Sequence, residues 1–339
     1  MTDSSKVSTA PDTAGESALC GLSAEITEVG DEGATRSSSR LLAWLQLMRL
    51  PTVFTALSNI LCGYLITHSL PVADLPGQWN LWLLLCSTFG LYMGGMVLND
   101  VFDASLDAIE RPERPIPSGR ISRTAAAGFG GLLTVIGVSA AAFVGLPSLL
   151  VAIAIVPAVV LYNAVLKNTL AAPLGMGTCR FLNLMLGASA VGSFAELFQT
   201  TSVTAAAGLG LYVVGVTIFA MNEAGTSTSR GLLAGLALMA AGMLLDGWLI
   251  SNHSATPGSA DGARMALLLL GLNLGMRGAR AVSSPQPRLI QKTVGLMLLC
   301  IIFLDAIVVF GLTADAKRAA LVIMLVAPAM LLRRVIPMS

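Results

Sequence analysis

The chain has 339 residues, of which 55% are hydrophobic and only 12% are charged. An average soluble domain has about 25% charged residues, so this composition excludes a disordered chain, a coiled coil and an ordinary soluble enzyme. The formal net charge of +1 gives no bulk attraction to nucleic acid, so we expect none among the partners. The solvent that fits this composition is a lipid bilayer.

The chain divides into a polar start and a long apolar remainder. Residues 1–38 contain no apolar run and are predicted to form a disordered cytoplasmic tail, whereas residues 39–339 are predicted to form one membrane domain. The apolar runs are continuous, which favours helices over the alternating strands of a β-barrel. We therefore predict an all-α polytopic bundle of nine or ten transmembrane helices. The candidate spans are 41–67, 80–98, 123–145, 148–166, 171–194, 203–221, 231–250, 263–279, 289–312 and 317–333.

The basic residues indicate how the bundle is oriented. Ten spans with the N-terminus in the cytoplasm leave only Arg264, Lys317 and Arg318 of the 20 Lys and Arg residues on the far side. Cytoplasmic loops carry an excess of Lys and Arg, so this asymmetry predicts a cytoplasmic N-terminus. We expect a multi-pass integral protein, in contact with membrane lipids, in a bacterial inner (cell) membrane.

Three aspartates stand at the cytoplasmic end of the second span. At 100° per residue, Asp100, Asp103 and Asp107 fall within about 60° of one helix face. Carboxylates crowded in this way repel each other, and each is costly to desolvate near a membrane. A divalent cation relieves both costs, and oxygen ligands favour Mg²⁺. The pattern predicts a Mg²⁺ site, with a solvated acidic helix end as the alternative.

A proline-rich segment with regularly spaced arginines follows the aspartates. Its prolines end the helix, and Arg111, Arg114 and Arg120 offer forked cationic donors that suit phosphate oxygens. The alternative is that the arginines only mark the cytoplasmic side of the membrane. That alternative does not explain their spacing beside the acidic residues.

Taken together, residues 99–122 read N-D-x-x-D-x-x-x-D followed by R-P-x-R-P-x-x-x-G-x-x-S. This pattern resembles the first signature of the UbiA superfamily of intramembrane prenyltransferases. Agreement extends from about residue 41 to at least residue 312. It is carried by Arg49-Leu50-Pro51, Tyr162 to Lys167, Gly175, Gly177, Arg180, Asn183 and Gly187. The resemblance implies a helical bundle around a central cavity. It also implies transfer of a prenyl group from a Mg²⁺-bound isoprenyl diphosphate to an aromatic or lipid acceptor.

The site residues follow from the motif positions. The expected catalytic residues are Asp100, Asp103, Asp107, Lys167 and Arg180. The residues expected to bind the diphosphate are Asn99, Arg111, Arg114, Tyr162, Lys167, Arg180, Asn183 and Arg230. Lys167 and Arg180 could instead extend to the membrane interface, and Asn183 could orient Arg180 or join neighbouring helices. Phe102 or Tyr162 could steady an allylic cation.

The second acidic motif of the family, commonly D-x-x-x-D, is degenerate in this chain. Asn222 and Thr226 stand where aspartates are expected, and Glu223 is the only carboxylate there. We expect Asn222 and Glu223 to complete the metal site, although neutral oxygen binds Mg²⁺ less strongly than carboxylate. The departure resembles a divergent branch of the family, similar to the EboC-type UbiA-like proteins.

Two functional hypotheses follow. The first is Mg²⁺-dependent prenyl transfer within the membrane. The second is a catalytically impaired UbiA-like protein that binds or helps export an isoprenoid or aromatic metabolite. A secondary transporter is disfavoured, because it would carry charges in the middle of several spans. Asp246 and Asp305 do lie within spans, where they could form a buried polar contact or an acceptor site.

Overall fold

The computed structural model describes residues 41–221, 229–284 and 286–335, which form helices joined by turns and short loops. The polar tail predicted for residues 1–38 lies outside these ranges. In chain order the α-helices are α1 (41–48), α2 (Phe54–Thr67), α3 (Trp79–Glu110), α4 (Arg123–Val144), α5 (Leu146–Ala164), α6 (Ala172–Ala188), α7 (Phe194–Leu197), α8 (Thr200–Ala220), α9 (Ser229–His253), α10 (Pro257–Ser283), α11 (Pro287–Thr313), α12 (Ala316–Ile323) and α13 (Val326–Val335).

The all-α membrane architecture is confirmed, but the number of spans is not. Within the described ranges, seven helices are long and apolar enough to cross a membrane, and eight if the bent pair at the start counts as one span. Helix α6 has only 17 residues, a length of about 26 Å against about 30 Å of hydrocarbon. The predicted span 317–333 is divided into α12 and α13, with 8 and 10 residues.

The first apolar segment is bent rather than straight. Residues Leu41–Thr52 and Phe54–Thr67 meet at an angle of 43°. Arg49 adopts a left-handed backbone conformation at the bend, with φ 46° and ψ 45°, which is uncommon for a residue that is not glycine. Pro51 follows within a short 3₁₀ turn. The bend allows the Arg49 side chain to reach α3.

Helix α3 is the longest of the described helices and carries the acidic motif. Its 32 residues extend for about 48 Å, whereas the hydrocarbon core is about 30 Å thick. About a third of the helix therefore exceeds what a membrane crossing requires. Asp100, Asp103 and Asp107 all lie in its last third, and the helix ends at Glu110, just before the Arg111-Pro112 pair.

Helices α2 and α6 touch backbone to backbone through glycine. A Cβ added at Gly63 of α2 would lie 2.3 Å from the Leu184 carbonyl oxygen, and one at Gly187 of α6 would lie 2.5 Å from the Ile60 carbonyl oxygen. Small residues permit this approach where lipid supplies no hydrophobic drive between helices. The contact fixes the register of the polar residues that α2 and α6 carry one and two turns away.

The same helices meet other segments at the end of the bundle that lies away from the acidic motif. The His68 ring, just past α2, contacts the Ala190 carbonyl oxygen past α6 at 3.0 Å. Arg318 of α12 donates to the Leu65 and His68 carbonyl oxygens at 3.3 and 3.0 Å. These contacts satisfy carbonyl groups at the C-terminal end of α2 and tie the late helices to the early ones.

Because α2 and α6 approach so closely, a side chain added at their contact should lower the stability of the protein. Gly187→Ala should lower stability by about 1–3 kcal/mol, since backbone rather than a flexible side chain opposes the new methyl group. Gly128→Ala in α4 is the matched control, because its Cβ would meet nothing within 4 Å. That exchange should leave stability unchanged or raise it by up to about 1 kcal/mol. Thermal unfolding in detergent measures both; equal melting temperatures would contradict the packing.

Candidate active site

Two of the three motif aspartates pair with arginines, a partly buried Arg49 and a buried Arg114. The Arg49 guanidinium donates to Asp100 Oδ1 at 2.9 Å, and the Arg114 guanidinium donates to Asp107 Oδ2 at 2.7 Å. Arg114 also lies 3.7 Å from Asp100 Oδ1, so it bridges the two carboxylates. The side chains of Asp100, Asp107 and Arg114 are each less than a tenth exposed, and such pairs in a dry setting need close contact to offset desolvation.

The third aspartate is held by a lysine from a different segment. Asp103 forms a hydrogen-bonded ion pair with Lys167. Lys167 sits in the short 3₁₀ turn Leu166–Asn168 that follows α5, so the end of α5 is fixed against α3. Lys167 therefore does more than extend to the membrane interface, because it pairs with Asp103.

The aspartates share one helix face, as predicted, but they do not converge on one point. No group of three His, Cys, Asp or Glu side chains within the described ranges could together hold a metal ion. The physical reason is that each carboxylate turns toward a cation, and this attraction replaces their mutual repulsion. The donors are nonetheless carboxylate oxygens, and Mg²⁺ usually takes only one or two of these plus water and substrate phosphates.

A cavity of about 180 Å³ lies beside the ion pairs. Its polar lining comes from Arg49, Asn99, Tyr162, Arg180 and Asn183, with an apolar part formed by Leu91, Ile155, Val159 and Met176. Four of the expected diphosphate-binding residues thus line one cavity. Larger cavities of about 660 and 500 Å³ lie among α9–α12 and have no carboxylate in their described linings, so we place the site at the smaller one.

Arg180 is held in this cavity by residues that the sequence analysis did not single out. Its guanidinium donates to Asn59 Oδ1 at 3.1 Å and to Thr55 Oγ1 at 2.9 Å, both on α2. It also stands over the ring of Tyr92, 5.3 Å from the ring centre, in cation–π range. The available signal for Asn59 was a polar residue within an apolar run, which marks a functional or packing contact.

Asn183 joins three helices, which was one of the alternatives left open. Its side-chain amide donates to the Ala56 carbonyl oxygen of α2 at 2.9 Å, and its Oδ1 accepts from Thr88 of α3 at 2.6 Å. Asn183 itself belongs to α6 and lines the cavity next to Arg180. Its polar atoms therefore help fix the cavity wall.

Several expected site residues are not brought to the cavity. Arg111 is exposed and makes no side-chain ion pair or hydrogen bond with the described residues. Arg230 is exposed at the start of α9 and does not line the cavity. Phe102 is 40% exposed and does not line the cavity, whereas Tyr162 does. Asn222, Glu223 and Thr226 lie outside the described residues.

The two aspartates in the later spans have different surroundings. Asp305 of α11 accepts hydrogen bonds from Ser58 Oγ at 2.6 Å and from Asn59 Nδ2 at 2.7 Å, so it forms a buried polar contact. Asp246 of α9 is buried against Gly208, and neither of its oxygens has a hydrogen-bond partner among the described residues. A carboxyl group in that setting is costly in its charged form.

Because Arg114 bridges two buried carboxylates, its removal should lower the free energy of unfolding. Arg114→Met removes the cation between Asp100 and Asp107 and should lower the free energy of unfolding by about 3 kcal/mol, because two buried carboxylates lose compensation. Arg111→Met is the matched control; this neighbouring arginine is exposed, so the change should be close to neutral. Chemical unfolding in mixed micelles measures both. An equally small effect of the two variants would contradict the bridge.

The family model described as the UbiA prenyltransferase family matches residues 56–336. The chain is 32% identical to the digeranylgeranylglyceryl phosphate synthase of Saccharolobus solfataricus over 38% of this chain and 44% of that protein. It is 41% identical to the protein of that name from Methanoregula boonei, over 27% and 33% of the two chains. The matched segments thus span less than half of these archaeal relatives.

Solved structures share the fold at low sequence identity. A digeranylgeranylglyceryl phosphate synthase structure has a TM-score of 0.60 at 18% identity and covers 82% of this chain and 100% of the other. A UbiA homologue from Archaeoglobus fulgidus bound to GPP and Mg²⁺ has a TM-score of 0.53 at 15% identity, covering 80% and 100% of the two chains. With the family model spanning most of its length, the chain belongs to the UbiA prenyltransferase family.

Proposed function

We propose that this protein transfers a prenyl group from an isoprenyl diphosphate to an acceptor within the membrane, with Mg²⁺ as the metal. The observation that carries the proposal is the position of the cavity. It places Arg49, Arg180 and Asn99 beside the three aspartate–cation pairs, at one end of an apolar helical bundle. Membership of a prenyltransferase family supports the same activity.

The proposed Mg²⁺ ligands are drawn from Asp100, Asp103 and Asp107, of which one or two carboxylates, released from their cations, would suit this ion. When bound, Mg²⁺ supplies neutralisation of the charge that gathers on the leaving diphosphate. The homologue from Archaeoglobus fulgidus that was solved with GPP and Mg²⁺ supports this choice of metal and substrate class. Asn222 and Glu223 stay proposed additional ligands, on sequence grounds alone.

The aspartate–cation pairs are proposed to exchange partners when the substrate binds. Arg49, Arg114 and Lys167 neutralise the carboxylates in the absence of substrate. Phosphate oxygens offer these cations an equivalent acceptor, which frees the carboxylates for the metal. The site keeps its charge balance in both states, and the donors are already in place where negative charge develops.

The chemical step breaks the C1–O bond of the allylic diphosphate and forms a bond from C1 to the acceptor nucleophile. The diphosphate departs with the electrons of the C1–O bond, and it takes up the proton that the acceptor loses. Tyr92 and Tyr162 line the cavity, where their ring faces can stabilise an allylic cation. Apolar walls exclude water, which would otherwise intercept the cation.

The cavity is sized for the reacting end of the substrate. Its volume of about 180 Å³ is below the roughly 300–1,000 Å³ usual for a whole drug-sized ligand. We propose that the prenyl chain continues along Leu91, Ile155 and Val159, between α3 and α5. Contact with membrane lipids at that seam costs little, since the chain itself is apolar.

The acceptor is proposed to be a lipid rather than an aromatic molecule. The support is the name of the relatives, digeranylgeranylglyceryl phosphate synthase, which describes a prenylated glyceryl phosphate. The alternative hypothesis, a protein that binds or helps export a metabolite, rests on the degenerate motif at residues 222–226. The similarity to EboC-type proteins rests on the same motif. Prenyl transfer by the purified protein distinguishes the transferase from the binding protein.

The orientation is proposed from the charge asymmetry of the loops. A cytoplasmic N-terminus places loop 108–122 in the cytoplasm and residues 251–262 outside it. The relatives named above are archaeal, so they give no support to the expected bacterial membrane.

The orientation predicts opposite labelling of two engineered cysteines. Ser118→Cys and Gly258→Cys both lie at exposed positions. A membrane-impermeant maleimide applied to intact cells should label Cys at position 258 only, and position 118 only after the cells are opened. The parent chain controls for the native cysteines. Labelling of both positions from the same side would refute the topology.

If the protein is a Mg²⁺-dependent transferase, turnover should depend on the Asp103 carboxylate. Asp103→Asn should lower kcat/KM by about 100-fold or more, because the site loses a charged metal ligand and its tie to Lys167. Asp261→Asn is the matched control; this aspartate is exposed and pairs with Arg264 on α10, with no other ion pair among the described residues. The assay contains radiolabelled isoprenyl diphosphate, Mg²⁺ and either a monoprenylated glyceryl phosphate or an aromatic panel. Transfer to the aromatic panel alone would overturn the proposed acceptor class, and no transfer by the parent chain would overturn the activity.

A further inference from the structure

Arg180 is a buried cation that forms no ion pair with the residues that the structure describes. The residue is 8% exposed, and no carboxylate of the described residues lies within ion-pair distance of it. A charge inside a membrane bundle is costly unless something compensates it. Its guanidinium nevertheless faces the cavity, so groups other than a neighbouring carboxylate must hold it in position.

Asn59 of α2 connects Arg180 to Asp305 of α11 through hydrogen bonds. Asn59 accepts from Arg180 Nη1 at 3.1 Å through its Oδ1, and donates through its Nδ2 to Asp305 Oδ2 at 2.7 Å. Asn59 is fully buried and Asp305 is 2% exposed. The three residues belong to α6, α2 and α11, so one hydrogen-bonded chain connects the cavity to a carboxylate two helices away.

Chemistry fixes the direction of this chain. A guanidinium can only donate hydrogen bonds and an ionised carboxylate can only accept them, so Asn59 must present its oxygen to Arg180 and its nitrogen to Asp305. Without Asp305, the Asn59 amide could turn over and aim its own donors at the guanidinium. Ser58 donates to the same carboxylate oxygen at 2.6 Å and holds Asp305 in place.

We propose that Asp305 is a positioning residue that acts through Asn59 to hold the Arg180 guanidinium toward the cavity. This inference rests on the proposed function, since diphosphate is the anion that Arg180 would bind. The two are separable, because Asp305 does not line the cavity and can be changed without removing any group proposed to touch the substrate.

The first test measures binding of inorganic pyrophosphate with Mg²⁺ by calorimetry in detergent. Asp305→Leu should weaken binding about tenfold, the scale of one buried hydrogen bond. Asp305→Asn should stay within about twofold, because its amide oxygen can replace Oδ2 as the acceptor. Asp246→Asn is the matched control: it is another buried aspartate, with no hydrogen-bond partner among the described residues, and should leave pyrophosphate affinity unchanged.

A swap of the two side chains keeps the test decisive even if Asp305→Leu does not fold. Asn59→Asp places two carboxylates face to face and should weaken pyrophosphate binding. Adding Asp305→Asn should restore it, because the carboxylate at position 59 then accepts from both Arg180 and the new amide. Failure of the double variant to recover affinity would overturn the positioning role.

A background without Arg180 distinguishes positioning from general structural support. In an Arg180→Met chain, Asp305→Leu should cause no further loss of pyrophosphate affinity, whereas a structural role would add its full effect. An equal loss in both backgrounds, or a loss in Asp305→Asn as large as in Asp305→Leu, overturns the inference. A parent chain that binds no pyrophosphate would instead refute the proposed function.

Discussion

The site depends on the ion pairs that neutralise three carboxylates at the end of α3. Asp100, Asp103 and Asp107 share a face and would repel each other if they stood alone. Their cations come from three separate segments: Arg49 from the bend after α1, Arg114 from the loop after α3 and Lys167 from the turn after α5. Each ion pair is therefore also a tertiary contact, and the electrostatics of the motif help to close the bundle around the cavity.

The second constraint is close helix packing, which decides where the polar groups can meet. Gly63 and Gly187 bring the backbones of α2 and α6 into contact. Arg180 and Asn183 on α6 then face Asn59 on α2, and the hydrogen-bonded chain reaches Asp305 on α11. A buried polar chain of this kind is stable only when every donor finds an acceptor, so its geometry leaves little freedom to the Arg180 side chain.

The sequence predicted the helical membrane class, the acidic helix face and four polar residues of the cavity lining, Asn99, Tyr162, Arg180 and Asn183. These features depend on local periodicity or on long motifs, which a sequence displays directly. It did not predict that Arg49, Arg114 and Lys167 would pair with the aspartates, because ion-pair partners depend on how distant segments pack. It also missed Tyr92, since a lone aromatic residue within an apolar run has no local signature. It missed the hydrogen bonds of Asn59 as well, because an amide within an apolar run marks a polar contact but does not identify its partners. The number of spans was uncertain for a related reason: hydropathy does not show that α6 is short or that 317–333 divides into two helices.

In the proposed exchange, Arg49, Arg114 and Lys167 neutralise the carboxylates until Mg²⁺ binds to the carboxylates and a diphosphate binds to the cations. Binding of the metal and binding of the diphosphate are then mutually dependent, as reciprocal coupling requires. The most direct measurement is calorimetric titration of the purified parent chain with inorganic pyrophosphate, at zero and at saturating Mg²⁺. We expect Mg²⁺ to raise pyrophosphate affinity at least about tenfold, which corresponds to roughly 1.4 kcal/mol of coupling. Equal pyrophosphate affinity with and without Mg²⁺ would contradict it.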